Sequence, residues 1–488
     1  MVDQCRFAFF ERARGKLHAL VSAFCRVTPV LLLTAASVAS AAPADSRAKS
    51  KFVGVGGQFE QARDVFTSEY EAHEPTGGPR NQTFGTQVAV SGNGKRLAVS
   101  DLWYYGGSEW PWYGSGAVYV YGRSDSRWIL EAKLEPVDAR GYDFFGSDLA
   151  LSEDGRTLAV GAQNEGYDAP SQDAGPGSVF IFTRRSGVWL QEAILRSSAP
   201  QDGASFGRAV EISRSGNVVA VGAPYESSDA AGALLPETGA VYVFKRRETS
   251  WLPEAALQAP APERYDRFGL GVRLSDDGRT VAALAGEQNS ATEDYETGGW
   301  PDRNNTVYVF ARDSDGWMLQ AEIEGSVDDP MLGGYGYDYE GQVEGFDLSG
   351  NGRTLAIASP FAAAPDAGVG VIRLYESTGN HWQPSAVAIT PALADRRVFG
   401  LRLALSGNGR VLAATADRDD GAYGQPFVFV FSRRGERWTE TSALESPAWP
   451  DYTSFGNSLG LSTNGKRLVV GSQGYTLGEA YWGAVLVY

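Results

Sequence analysis

One phrase returns along this chain: Phe-Gly, five residues, Ser, two turn residues, Gly, then an apolar run. It reads Phe84-Gly85…Ser91-Gly92-Asn93-Gly94 and Phe145-Gly146…Ser152-Glu153-Asp154-Gly155. It returns at Phe206-Gly207…Ser213, Phe268-Gly269…Ser275, Phe399-Gly400…Ser406 and Phe455-Gly456…Ser462. A further copy, Ser349-Gly350-Asn351-Gly352, keeps the turn without the Phe-Gly. The seven serines stand 61, 61, 62, 74, 57 and 56 residues apart. Self-similarity at a steady period marks a repeat architecture, in which each unit is one supersecondary element.

Each copy divides into four strands. In the second, Ser147–Leu151 alternates up to a Glu-Asp-Gly turn, Thr157–Gly161 follows, Ser178–Phe182 comes after a loop, and Trp189–Leu195 comes after Arg185-Ser186-Gly187. Asn-Gly and Asp-Gly between apolar runs are strong hairpin signals, because the turn needs positive φ. Trp128, Trp251, Trp317, Trp382 and Trp438 open the fourth strand elsewhere; a Trp that recurs once per unit is a packing residue. Four-stranded sheets standing alone would expose two faces and two edges. Radial packing removes that exposure. The expectation is an all-β fold: a single seven-bladed β-propeller of four-stranded antiparallel blades, without helix after residue 50. The last copy ends after its third strand, Ala484–Tyr488, and Phe66 precedes Phe84 by 18 residues where Trp precedes Phe by 17 in five other copies. Residues 66–70 are therefore expected to supply the outer strand of the last blade and close the ring, making 66–488 the propeller and 42–65 a flexible N-terminal segment.

Met1–Ala41 carries Arg6, Arg12, Arg14, Lys16 and Arg26, then Val30-Leu31-Leu32-Leu33, then Ala39-Ser40-Ala41. A basic start, a short apolar core and a small-x-small end read as a Sec-type signal peptide cleaved near Ala41. The apolar run is too short for a bilayer, which takes about 20 residues. Secreted, periplasmic or cell-surface placement is expected, with no transmembrane segment. Both cysteines, Cys5 and Cys25, fall in this segment, so burial and strand pairing must hold the mature chain without disulfides. The segment also holds five Lys and Arg against two Asp and Glu, and its removal moves the net charge from −16 to about −19. Such a balance disfavours nucleic acid.

Phe-Gly, Val221-Gly-Ala-Pro224 and Gly239-Ala-Val-Tyr-Val-Phe244 resemble the FG-GAP repeat of integrin α-subunit propellers. The Trp-led strand before each Phe-Gly is closer to bacterial FG-GAP repeat proteins. The resemblance covers roughly 66–488 and implies a monomeric propeller, extracellular placement and a role in adhesion or ligand binding, with an extracellular protein or a carbohydrate as partner. Integrin-type propellers often carry calcium in Asp-x-Asp-x-Asp-Gly loops between the first two strands. Here that turn is Ser-Gly-Asn-Gly or Ser-Glu-Asp-Gly, too short to wrap an ion that takes six to eight oxygens. No cofactor is expected, and Asp417, Asp419 and Asp420 in another loop are the weak candidates for a metal.

Length variation concentrates in the loops joining strands two to three and in the connections between blades, which share one face; a rigid scaffold displays functional loops in this way. Trp103-Tyr104-Tyr105 and Trp110-Pro111-Trp112-Tyr113 lie in one such loop, and Tyr335, Tyr337 and Tyr339 lie in another beside Asp328 and Asp329. Aromatic rings with carboxylates suit the gripping of sugars or peptides; the alternative is that they cap the blade tops. Beyond the signal only His73 and His381 remain, which disfavours a His-based metal site or triad. The sequence thus points to binding, with a structural module of an envelope or matrix assembly as the alternative and a carboxylate-based glycan hydrolase behind it.

Overall fold

The computed structural model describes residues 64–67, 83–104, 114–125, 127–137, 140–166, 174–230, 233–286, 305–325, 345–363, 369–379, 381–391, 397–418, 426–445, 454–477 and 480–488. All of them fall in the compact unit Ser46–Tyr488. Seven four-stranded antiparallel sheets are arranged as the blades of a propeller, and no helix occurs among the described residues. The second blade is typical. Its strands are β6 (Phe145–Leu151), β7 (Thr157–Ala162), β8 (Ser178–Arg185) and β9 (Val188–Leu195), paired in chain order from the channel outward. The seventh blade is different: β28 (Ser454–Leu461), β29 (Leu468–Leu477) and β30 (Ala480–Val487) are followed outward by β1 (Asp64–Thr67). Phe66 lies opposite Val485. The strand starts two residues before the expected position 66, and residues 68–70 lie outside the described ones.

The repeated Ser earns its place at the turn. Every one of the seven is buried. Ser152 Oγ donates to Asp154 Oδ1 at 2.9 Å and accepts from Thr157 N–H at 3.0 Å. Ser91, Ser275, Ser349, Ser406 and Ser462 repeat both bonds with Asn93, Asp277, Asn351, Asn408 and Asn464. The last turn residue takes φ near +65° each time, as at Gly155 and Gly352, a region open to Gly at no steric cost. These turns spend their Asx oxygens on their own hydroxyl and amides. That is a structural account of the Ser-x-Asx-Gly signature.

The repeated Phe is the wedge between blades. Phe145 is fully buried among residues of the first two blades, and its ring meets Phe180 and Phe182 edge-on at 5.3 and 6.0 Å. Phe206, Phe268 and Phe399 make the same pair of contacts in their blades. Edge-to-face pairs add about 0.5–1.5 kcal/mol to the area term. In the fifth blade Phe346 is fully buried three residues before Ser349, a place held by Val or Leu in the other copies.

The recurring Trp does more than pack. Glu131, three residues after Trp128, accepts from Arg184 Nε at 2.8 Å and Trp189 Nε1 at 3.1 Å, both of the next blade. Glu192, three after Trp189, holds Arg246 and Trp251 Nε1 of the third blade in the same way. Glu254 takes Arg312 of the fourth at 2.8 Å. The fifth blade departs from this: Ser377 stands opposite Trp382 where the others carry Arg, and Glu376 beside it pairs with Arg433 of the sixth at 2.7 Å.

Candidate functional site

Antiparallel order puts the Ser-x-Asx-Gly turns at one end of every blade and the two-to-three loops at the other. The two ends differ physically. At the turn end the residue after each Ser joins a ring of backbone hydrogen bonds from blade to blade. Asn93 N–H donates to Glu153 O, Glu153 to Arg214, Arg214 to Asp276, Asp276 to Gly350, Gly350 to Gly407, Asn408 to Thr463 and Thr463 to Gly92, at 2.7–3.1 Å. Seven bonds run round the channel and join the last blade to the first.

At the loop end, Trp103 and Tyr104 are half-buried. The Trp103 ring meets Phe144 at 5.5 Å and Tyr142 at 6.3 Å, both edge-on, and Trp103 N–H donates to Thr83 Oγ1. Lys133 Nζ sits 3.3 Å above the Tyr104 ring, a cation–π contact. The Tyr104 carbonyl accepts from Ser115 and Gly116 N–H, so the described ends of this loop close on each other. Trp103 thus belongs to an aromatic rim joining the first blade's loop to the connection into the second. Tyr225 holds the equivalent place in the third blade, beneath Arg267 at 5.2 Å, so part of the role of Trp103 is to cover the blade top. Tyr105, Trp110, Trp112, Tyr113, Tyr335, Tyr337 and Tyr339 lie outside the described residues, as do Asp419 and Asp420; Asp417 lies in β25 (Val411–Arg418), opposite Val398.

The same rim holds carboxyl groups in unusual states. Asp143 Oδ2 accepts from Arg140 N–H at 2.7 Å, and Asp266 Oδ2 accepts from Glu263 N–H. Burial is the main cause that pushes Asp143 up to about 7 and Asp266 up to about 6. Glu226, raised also by burial, is bonded to Tyr242 Oη at 2.6 Å. A carboxyl whose folded pKa exceeds its unfolded value near 4 binds its proton more tightly in the native state. Its stabilisation is whole below pH 4 and is lost as pH rises through 6 and 7. Thermal melts should therefore show stability falling between pH 4 and pH 7, by up to about 1.4 kcal/mol per pH unit for each such group. Asp143→Asn should flatten that slope, and an unchanged slope would disprove the assignment.

A second feature escaped the sequence reading. The innermost strands enclose a channel cavity of about 220 Å³. Its polar lining follows a rule. At four and two residues before the repeated Ser, blades one, two, six and seven place Gln87/Ala89, Asp148/Ala150, Arg402/Ala404 and Ser458/Gly460. Blades three, four and five invert the order with Ala209/Glu211, Gly271/Arg273 and Gly345/Asp347. Each blade thus supplies one polar side chain at one of two levels, opposite a small residue at the other. Several of these are structural. Asp148 Oδ2 accepts from Val210 N–H of the next blade at 2.6 Å, and Asp347 Oδ2 accepts from Leu405 N–H at 2.6 Å. Arg273 pairs with Asp347 at 3.1 Å, and Arg402 Nε donates to Asn457 O at 2.6 Å.

Comparison with known proteins bears on the fold. No curated protein matches the chain. Solved structures that resemble it include hydrazine synthase of Kuenenia stuttgartiensis, at 11% identity and a TM-score of 0.44 over 82% of this chain and 95% of that one. The WD40 repeats of RRP9 match at 13% and 0.45, over 87% and 97%. A protein from Lactobacillus plantarum matches at 14% and 0.45, over 78% and 90%. Residues 128–182 and 189–244 match the FG-GAP repeat family. Each of these two stretches runs from a Trp-led outer strand, or the residue that opens it, through the first three strands of the next blade, and the same Phe-Gly and Ser-turn grammar continues round the ring. The chain is a seven-bladed β-propeller that carries FG-GAP repeats at residues 128–182 and 189–244.

Proposed function

We propose that this propeller is an exported, non-catalytic binding protein that recognises a protein or glycan through its loop-rich face, in the manner of an adhesion module. The observation that supports this reading most is the contrast between the two ends. One end is spent on short turns and a closed ring of backbone bonds. The other carries the long loops and an aromatic rim of Trp103, Tyr104, Tyr142 and Phe144. Rings already held edge-on lose little entropy when a ligand packs on them.

The test is a protein and glycan array probed with the chain from residue 42 onward. Trp110→Ala with Trp112→Ala should lower affinity for the captured ligand at least tenfold while leaving the melting temperature unchanged. Truncated anchors of this kind cost about 2 kcal/mol or more each. Full retention of binding in the double variant would remove the loop-rich face as the recognition surface. Glycan turnover on the array would move the reading to a carboxylate-based hydrolase.

A further inference from the structure

The channel holds one carboxyl group whose only hydrogen bond, among the described residues, comes from its own strand. Asp148 and Asp347 cap backbone N–H groups of neighbouring blades. Arg273 is committed to Asp347 and Arg402 to the Asn457 carbonyl. At the turn end of the channel, Glu153 takes Arg214 at 3.2 Å and Thr463 Oγ1 at 2.6 Å, and Asp276 faces Arg214 at 3.7 Å. Glu211 differs from all of these. It accepts a single hydrogen bond, at 3.0 Å, from the N–H of Ile212 beside it in its own strand. Among the described residues no cation lies within ion-pair distance of it.

We propose that the central channel is a binding site for a small organic cation, a primary ammonium compound, whose charge pairs with Glu211. Three observations carry this. The cavity, at about 220 Å³, far exceeds the 10–15 Å³ or so that one water requires. Its lining holds five acidic side chains against three arginines, and of the five Glu211 is the one whose only hydrogen bond comes from its own strand. The chemistry of Glu211 also agrees: burial, opposed in part by Arg273, pushes it up to about 8, with Asp347 and Asp148 adding repulsion. A carboxyl in that state becomes an anion when a cation arrives, and the bound ammonium adds to the partial counter-charge that Arg273 provides. Divalent metal fits less well, since no three metal-ligating side chains among the described residues stand close enough to hold an ion.

This site lies inside the ring and is independent of the loop-rich face, so either reading can fail alone. The experiment is isothermal titration of the chain from residue 42 with n-butylammonium chloride, and with sodium butyrate as the anionic control. Binding of butylammonium should tighten about tenfold or more between pH 6.5 and pH 9, with proton release at the lower pH, since the carboxyl must ionise to pair. Butyrate should not bind. Glu211→Gln should abolish butylammonium binding and its proton release. Should that variant misfold, Glu211→Asp retains the charge but withdraws it by one methylene, and should weaken binding while the pH dependence persists. Absence of binding at millimolar butylammonium at pH 9, equal binding by butyrate, or full affinity in Glu211→Gln would each overturn the assignment.

Discussion

Gly239→Ala should cost about 2–5 kcal/mol, one of the largest effects of any single methyl group in this protein. The cost has two sources. Gly239 has φ +76°, and a left-handed backbone costs an L residue about 1–2 kcal/mol. A Cβ there would also lie 2.2 Å from the Phe268 carbonyl oxygen and 2.4 Å from its nitrogen. Those atoms are backbone of the next blade and cannot move aside, because Phe268 N–H donates to Thr238 O at 3.0 Å and the Phe268 ring is wedged in the core. Overpacking of this kind adds about 1–3 kcal/mol. Gly203→Ala is the control. Its φ is +77°, yet no atom lies within 4 Å of the added methyl, so it should lose only the backbone part. Urea midpoints at equal slope measure the difference. Equal losses in the two variants would mean that the blades do not depend on this approach. The arrangement recurs where Gly116 meets Phe145 and Gly177 meets Phe206, which gives a physical reason for the Gly that opens the third strand and the Phe that opens the next blade.

The architecture was legible because its determinants are local or periodic. Ser152, Asp154 and Gly155 sit within four positions, so a turn that every copy repeats is visible in the text of the chain. The resemblance rested on these phrases, and Val221–Pro224 and Gly239–Phe244 lie where it placed them, in consecutive strands of one blade. What joins the blades was harder to see. Glu131 meets Arg184 and Trp189 across more than fifty residues, and Trp-x-x-Glu occurs only at Trp128, Trp189 and Trp251, so the motif fades midway round the ring. The Trp residues were readable as packing; the N–H donation of Trp189 and Trp251 to a carboxylate of the preceding blade was not. The channel was concealed by its own rule. Its polar residue shifts between two positions of the inner strand and changes sign from Asp148 to Arg273 to Asp347, so the pattern looks like noise until the strands are laid side by side. Of the candidate aromatics, Trp103 and Tyr104 can be placed because their loop ends are tied to Asp101 and Ser115. Tyr104 owes its half-buried position to Lys133, a partner 29 residues away that no loop composition announces.

Removing β1 should destabilise the protein by on the order of 4 kcal/mol, at about 1 kcal/mol for each ladder hydrogen bond lost. A chain beginning at Tyr70 lacks Asp64–Thr67, and with them the partners of Val487, Leu486, Val485 and Ala484. Those four residues are fully buried, and their strand would become a bare apolar edge. Such an edge pairs with whatever strand it meets, so the truncated chain should also associate as its concentration rises. The ring itself should persist. The last blade is bound to the first by contacts that do not involve β1: Thr463 N–H to Gly92 O at 3.0 Å, Asn457 Nδ2 to Thr86 O at 3.0 Å, Ser458 Oγ to Gly85 O at 3.1 Å and Gln473 Nε2 to Thr86 Oγ1 at 2.6 Å. These lie along the inner strands, where the blades come closest, whereas β1 works at the rim. Melting curves and sedimentation over a concentration series decide the matter, with a chain beginning at Ala62 as the control that keeps the strand. An identical melting temperature for the two truncations would show that the inner contacts alone close the ring. Loss of all β-structure in the shorter chain would show the opposite, that the outer strand is needed before the inner seam can form.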